Sequence, residues 1–190
     1  MKARPILFSA PMVRALLDGT KVQTRRIIKP RGGDEIDPEG IYENHPGDIE
    51  LARCPYGQVG DLLWVRESFG LLDDKTILYP ATYDMAQRPW LNWKPSIHMP
   101  RTASRITLGI TSVRVERLQS ISRGDAMDEG CPFPNMAKGP NPVDWYADLW
   151  REINGSESWE ANPWVYAIDF VVHHANVDEL LRAAREAGAA

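Results

Sequence analysis

The chain has 190 residues, of which 43% are hydrophobic and 25% charged, and its formal net charge is −4. It has no apolar run of about 18 residues, which argues against a membrane-spanning helix. These values are typical of one globular domain with insertions and argue against a general nucleic-acid coat. Without a signal-peptide pattern or a C-x-x-C pair, we expect a cytoplasmic protein with no zinc site.

The positive charge is concentrated near the N-terminus. Residues 1–31 contain eight basic residues and one acid, so the rest of the chain has 14 basic and 25 acidic residues. A focused group of cations attracts anions even on an acidic protein. An anionic partner or a plain solvated strand edge would both explain this distribution.

The first predicted elements follow from caps and turn residues. After a strand-like start, Ser9-Ala10-Pro11 predicts a helix start, and Gly19 predicts its end. A strand is predicted from Thr24 to Ile28 and another from Asp61 to Phe69. The stretch 30–59 is rich in turn residues and predicts a long loop with room for one short strand. The stretch 70–104 resembles an insertion, with a strand candidate from 76 to 83.

The second half of the chain has clearer periodicity. A long strand is predicted over 105–118, and its alternation breaks near Thr111-Ser112, which indicates a bulge or tight bend. Ser122 and Asp125 predict a capped short helix ending near Glu129. Further predictions are a helix from 141 to about 153, a strand over 164–172 and a peripheral helix over 178–187. The strands do not alternate with helices, so we expect an α+β domain with a small curled sheet or open barrel.

Three residues between the first helix and the next strand bring reactive groups together. Thr24 and Arg26 face the same side of a strand, and Lys21 in the preceding turn can fold over that side. An ammonium, a hydroxyl and a guanidinium suit either anion binding or acyl transfer. On pattern alone, a basic strand start is also a common structural feature.

The wider motif set resembles the ASCH domains of the PUA-like superfamily. Gly19-x-Lys21-x-x-Thr24-x-Arg26 looks like their G-x-K-x-x-[E/T]-x-R signature, and Gly60-Asp61-Leu62-Leu63-Trp64-Val65 resembles their G-D-x-L-x-V strand. The stretches Lys94–Arg101 and Asn162–Val165 look like the phage and prophage branch. The resemblance implies a single PUA-like domain over 1–190, with insertions at about 30–58 and 70–104.

The resemblance also implies an activity. A threonine in the signature is similar to the bacterial N4-acetylcytidine amidohydrolases, whose site is a lysine, that threonine and a glutamate. The matching residues are Lys21, Thr24 and Glu129, with Asp128 as a competitor for the acid. Other ASCH proteins are implied to be RNA-binding modules or ribonucleases. The predicted partner is therefore a modified nucleoside or RNA, with no metal and no membrane.

A mechanism is compatible with these residues. Thr24 attacks the acyl carbon, Lys21 is its base or holds the oxyanion, and Glu129 moves a proton toward the leaving nitrogen. We expect the substrate to be bound by Arg25, Arg26, Arg66, Glu67, His98 and Arg101. Glu67 is expected to pair with an arginine of the basic cluster, or else to form a surface ion pair, and a surface role for His98 is the alternative.

Two tryptophans are candidates for contact with a nucleobase, and several cofactor-binding and hydrolase motifs are absent from the sequence. Trp90 and Trp93, in the irregular insertion, are the best candidates for stacking on a base. No Walker loop, G-x-G-x-x-G, H-E-x-x-H or G-x-S-x-G motif is present, so we expect no cofactor.

Overall fold

The secondary structure is a mixture of helices and strands. The computed structural model describes residues 1–29, 41–45, 48–51, 54–73, 76–87, 90–132 and 141–187. Its helices are α1 (Ala10–Leu17), α2 (Arg123–Asp128), α3 (Pro142–Asn154) and α4 (Val177–Ala187). Its strands are β1 (Ala3–Leu7), β2 (Gln23–Ile27), β3 (Ile41–His45), β4 (Asp48–Leu51), β5 (Leu62–Arg66), β6 (Phe69–Leu71), β7 (Ile77–Leu78), β8 (Trp93–Lys94), β9 (Thr107–Arg117) and β10 (Trp164–His173).

One five-stranded sheet organises the domain. Its strand order is β1-β5-β9-β10-β2, so β1 and β2 are its two ends. The β1–β5 pair is parallel, whereas β5–β9, β9–β10 and β10–β2 are antiparallel. Two smaller sheets, β3–β4 and β7-β6-β8, accompany it. The predicted α+β class with an open, small main sheet is therefore confirmed.

Apolar side chains cover both faces of this sheet. On β10, Tyr166, Ile168 and Phe170 belong to a buried cluster that also contains residues of α1. Val165 points to the opposite face, because successive strand residues alternate, and joins a second cluster with Tyr146 of α3. Helices α1 and α3 therefore lie on opposite faces of the sheet, with the β2 end between them.

Two local predictions are confirmed at the level of single residues. Asp169 pairs with Ser112 and Phe170 pairs with Ile110, which leaves Thr111 as the extra residue of a β-bulge. Ser122 and Asp125 form a reciprocal capping box at the start of α2. Helix α3 begins close to the expected residue 141, where the Asn141 side chain caps it by accepting from the Val143 amide.

Other boundaries differ from the prediction. The strand expected over 61–69 divides into β5 and β6, because the Glu67 amide leaves the ladder and donates to the Met99 sulfur at 3.2 Å. The loop expected over 30–59 contains the β3–β4 hairpin, and the strand expected over 76–83 is only two residues long. Much of the proposed first insertion, Arg31 of the basic cluster and most of the loop 131–141 lie outside the described residues.

Within the described ranges, no helix combines the length and apolar character needed to cross a membrane.

Candidate functional site

The end of α1 and the end of α2 meet at Lys21. Gly19 has φ +71°, which ends α1, and the amides of Thr20 and Lys21 then donate back to the Ala15 carbonyl. The Val22 amide donates to the Asp128 carbonyl at 2.8 Å. This contact forms a short antiparallel bridge between Lys21 and Glu129. Residues that are 108 positions apart in the chain are thereby placed side by side.

Lys21 and Glu129 form a buried ion pair. The Lys21 Nζ lies 2.6 Å from Glu129 Oε2 and also donates to the Glu129 backbone carbonyl at 2.9 Å. The two residues are only 1% and 3% exposed. The second carboxylate oxygen, Oε1, lies 3.3 Å from Nη1 of Arg25. One buried carboxylate therefore has two cations beside it.

Arg25 extends this pair into a network. Its Nη2 lies 2.6 Å from Oε1 of Glu116 on β9, and its Nη1 donates to the Gln23 side chain. The Gln23 amide nitrogen in turn donates to Asp125 at 2.8 Å. Buried charges are tolerated only when they are paired and hydrogen-bonded, and this network meets both conditions. It fixes the carboxylate of Glu129 in one place.

Burial changes the protonation of two groups here. Desolvation lowers the pKa of Lys21 below its ordinary value of 10.5, Arg26 and Arg25 act in the same direction, and Glu129 opposes them. Desolvation raises the pKa of Tyr146 well above 10.0, and the charge and hydrogen bonding of Glu129 add to that effect. Tyr146 thus stays an uncharged hydroxyl beside the Glu129 carboxylate.

A cavity of about 270 Å³ opens at this network. It is lined by Phe8, Met12, Lys21, Thr24, Arg25, Arg26, Ile27, Lys29, Tyr56, Glu129, Tyr146, Leu149, Trp150, Ile153 and Asn154. Its volume is close to the lower end of the range of about 300–1,000 Å³ for small-molecule pockets. The walls are mostly apolar and aromatic, and they also carry the charged groups of Lys21, Arg25, Arg26, Lys29 and Glu129. Such a cavity is suited to a small planar ligand with a polar edge.

Of the predicted site residues, Lys21, Thr24, Arg25, Arg26 and Glu129 all line this cavity. The Lys21 ammonium meets Arg25 at Glu129, and its Nζ also lies 5.8 Å from the centre of the Phe8 ring. Arg26 lies over the Phe8 ring at 5.0 Å and donates to the Leu7 carbonyl. Contact with Lys21 favours Glu129 over Asp128 as the acidic partner.

The other predicted binding residues do not line this cavity. Glu67 is buried and pairs with Arg105 at 2.8 and 3.0 Å, not with an arginine of the basic cluster. Arg101 pairs with Asp178 at 2.6 Å, and His98 lies in a short 3-10 turn beside that region. The expected pairing of Glu67 is therefore wrong, because the chain turns away after β5 and brings Glu67 to Arg105. The binding roles of His98 and Arg101 stay predictions.

Arg66 does not line this cavity but lies close to it. It lines a second cavity, of about 370 Å³, together with Pro5, Ile6, Leu7, Arg26 and Tyr56. Arg26 and Tyr56 line both cavities, so the two adjoin. Arg66 also lies 5.5 Å from the Trp64 ring and donates to the Ile97 carbonyl.

The aromatic residues of the site are not those expected. Trp90 is 67% exposed and Trp93 lies against Tyr83, and neither lines the cavity. Rings of Phe8, Tyr56, Tyr146 and Trp150 line it instead. In the sequence, Tyr146 is distinguished only by carrying a hydroxyl on the apolar face of α3. Across the ranges that the structure describes, no three metal-binding side chains come together.

Comparison with known proteins adds distant structural likenesses. No known protein-family profile matches the chain, and no curated protein matches its sequence. Protein EF3133 from Enterococcus faecalis V583, of the family DUF984, is similar in structure over 93% of this chain and 83% of its own, with 9% identity and a TM-score of 0.45. An ASCH domain from Lactobacillus crispatus JV V101 is similar over 90% of this chain and 79% of its own, with 17% identity and a TM-score of 0.42. Likenesses this distant carry no conclusion about family or activity.

Proposed function

We propose that the chain is a single ASCH-type domain that hydrolyses the amide of an N4-acylated cytosine nucleoside without a metal. The observation that carries the proposal is the buried Lys21–Glu129 pair at the wall of a cavity that Thr24 also lines. A buried lysine with a lowered pKa and a hydroxyl on the wall of the same cavity are the parts that acyl transfer needs. The resemblance of the Gly19–Arg26 segment to the amidohydrolase signature adds support.

The first chemical step forms a tetrahedral adduct between Thr24 and the acyl carbon. The Thr24 Oγ adds to the acyl carbon, and its proton passes to the neutral amine of Lys21. The lowered pKa of Lys21 favours this base role, because a larger share of the lysine is neutral near pH 7. Glu129 holds Nζ through two hydrogen bonds, at 2.6 and 2.9 Å, and stabilises the ammonium that forms.

The later steps release cytidine first and the carboxylic acid second. The carbon–nitrogen bond breaks as Lys21 returns the proton to N4, which leaves cytidine and an acylated Thr24. Water then adds to the ester carbon as the same lysine takes a proton from it. The bond between that carbon and the Thr24 Oγ breaks as the proton returns to Oγ, and the carboxylic acid leaves. The uncharged Tyr146 hydroxyl donates to the Glu129 carboxylate and helps to hold it in place throughout these steps.

The test is turnover of N4-acetylcytidine, followed by the change in ultraviolet absorbance as cytidine forms. We expect Thr24→Val to reduce kcat by at least about a hundredfold, in the range for loss of a reacting group. Thr24→Ser keeps a hydroxyl and retains measurable turnover. The matched control is Thr107→Val, because Thr107 is also fully buried but hydrogen-bonds to Ala175 away from the cavity.

Two results would contradict the proposal. One is no turnover by the native protein at high enzyme concentration. The other is turnover that survives Thr24→Val and Lys21→Met in protein that melts as the native chain does. In addition, kcat is expected to rise with pH along one limb whose midpoint lies below 10.5, as Lys21 loses its proton.

A second candidate function, RNA binding, is favoured by one observation. Arg26 and Arg66 line adjoining cavities, and neither forms an ion pair with a carboxylate of the described residues. Guanidinium groups in that state are suited to phosphate. Affinity for a short single-stranded RNA, measured between 50 and 200 mM salt, should then fall steeply, and Arg26→Ala with Arg66→Ala should flatten that dependence. A dependence near zero would exclude phosphate contacts.

A further inference from the structure

The open edge of β2 is a feature that the proposed chemistry does not use. β2 is the last strand of the main sheet and pairs with β10 on one side only. On its other side, the described residues show the contacts of Lys21 and Val22 with the end of α2 and no further ladder. Part of this edge therefore remains available at the cavity.

The register identifies which backbone groups point outward. The Phe170 amide donates to the Val22 carbonyl, and the Ile28 amide donates to the Trp164 carbonyl. The carbonyl of Val22 and the even-numbered residues from 24 to 28 therefore bond toward β10. In an antiparallel pair the intervening residues direct their N–H and C=O groups the other way. Arg25 and Ile27 are those residues.

The cavity lies along this edge. Its lining includes the consecutive residues Thr24, Arg25, Arg26 and Ile27. Side chains of consecutive strand residues alternate between the two faces, so a cavity that meets all four lies against the edge itself. Residues from both faces of the sheet complete it, with Phe8 on the α1 side and Tyr146 on the α3 side.

We infer that the Arg25 carbonyl and the Ile27 amide read the pairing edge of a cytosine ring. The outward carbonyl of one residue and the outward amide two residues later form a widely spaced acceptor and donor. Cytosine offers a matching donor at N4–H and an acceptor at O2, on either side of N3. Uracil presents a carbonyl oxygen at both of these places, so an acceptor would face the Arg25 carbonyl.

This orientation agrees with the proposed chemistry, on which the identity of the base depends. With O2 at Ile27 and N4 at Arg25, an acyl group on N4 extends in the direction of decreasing residue number along β2. Thr24 and Lys21 lie in that direction. The strand edge thus selects the base and aims the scissile amide at the nucleophile.

The experiment measures binding of nucleosides by isothermal titration calorimetry, separately from turnover. Cytidine is expected to bind the native protein about tenfold or more tightly than uridine, the cost of an unmatched acceptor. N4,N4-dimethylcytidine, which lacks the N4–H donor, is expected to bind about as weakly as uridine. These ligand comparisons use the unmodified chain, so misfolding cannot account for the result.

A protein variant tests the same donor from the other side. Ile27→Pro removes the amide that points away from β10, a position where an edge strand tolerates proline, and also replaces the Ile27 side chain. It is expected to bind cytidine about tenfold more weakly than Ile27→Val, which also changes the side chain but keeps the amide. Thermal melting of both variants is measured alongside.

The outcomes separate this inference from the proposed function. Equal affinity for cytidine and uridine, or no cytidine binding by the native protein, overturns the inference. Full retention of cytidine affinity by folded Ile27→Pro overturns it as well, even if N4-acetylcytidine is hydrolysed. Conversely, selective cytidine binding without hydrolysis would support recognition of the base by the edge of β2 and would contradict the proposed amidohydrolase activity.

Discussion

Replacing Glu129 by glutamine tests whether the buried ion pair stabilises the fold as well as the site. The variant keeps the shape of the side chain but removes the charge that lies 2.6 Å from the Lys21 Nζ. Lys21 is 1% exposed, so its ammonium has no bulk water to compensate for the loss. Its hydrogen bond to the residue 129 backbone carbonyl remains.

The loss of unfolding free energy in Glu129→Gln has an upper bound, because the buried Lys21 can lose its proton. A lysine with an ordinary pKa of 10.5 can escape an unfavourable burial at pH 7 by losing its proton, at a cost of about 5 kcal/mol. Breaking a buried pair by removing one partner costs about 3–5 kcal/mol. We therefore expect Glu129→Gln to lower the free energy of unfolding by about 3–5 kcal/mol at pH 7. For a chain of this length, that lowers Tm by about 10 °C.

The pH dependence gives the sharper signature. Because the folded pKa of Lys21 is below 10.5, the unfolded chain binds more protons, and stability rises with pH between the folded pKa and 10.5. Glu129 is the group that raises this pKa, so its loss moves the folded value further down. The stability deficit of Glu129→Gln should accordingly shrink as the pH rises from 7 to 10.

The assay is urea denaturation followed by tryptophan fluorescence at pH 7, 8.5 and 10. The matched control is Glu160→Gln, which removes an exposed carboxylate paired with Arg151 and should leave stability unchanged. A deficit below about 0.5 kcal/mol at pH 7 would refute the reasoning, since surface substitutions alone reach that size. So would a deficit that is the same at all three values of pH.

Three further predictions concern the elements around the site. Gly130→Ala should lower the free energy of unfolding by about 1–3 kcal/mol more than Gly155→Ala. Both glycines have a positive φ, but only at Gly130 would a new Cβ meet the Lys21 side chain, at 3.2 Å. Equal losses of Tm in the two variants would contradict this prediction. Ser122→Ala should lower the free energy of unfolding by about 1 kcal/mol through loss of the α2 cap, measured by urea denaturation. Burial raises the pKa of Asp125, but hydrogen bonding, first of all from Ser122, lowers this pKa below 3.8. The charged Asp125 therefore stabilises the fold above pH 3.8, and this stabilisation is lost as the pH falls further. Asp125→Asn should therefore flatten the decline in stability between pH 5 and 2, and an unchanged decline would exclude this contribution.

Local signals in the sequence were enough to place most elements. The Ser122–Asp125 cap, the helix start at Asn141 and the break in alternation at Thr111 depend on neighbours within a few residues, and each has the predicted structure. Apolar periodicity also indicated the long strands correctly. Such features form from short-range backbone geometry and capping, which a sequence displays directly.

Predictions that needed a partner far along the chain had mixed outcomes. Glu67 was expected beside the basic cluster, but it pairs with Arg105, since the chain turns away between β5 and β6. The stacking residues were sought in the irregular insertion, whereas Tyr146 reaches the cavity from α3. Neither position follows from spacing, because packing between elements sets it.

By itself, the sequence determined that Lys21 and Thr24 lie at the start of a strand in a basic segment, since a glycine stop and a strand pattern fix them locally. Only the tertiary structure decided that Lys21 meets Arg25 at Glu129, and that a cavity follows the open edge of β2. The physical reason is that burial of the ammonium requires a carboxylate within about 3 Å. That partner comes from α2, more than a hundred residues later.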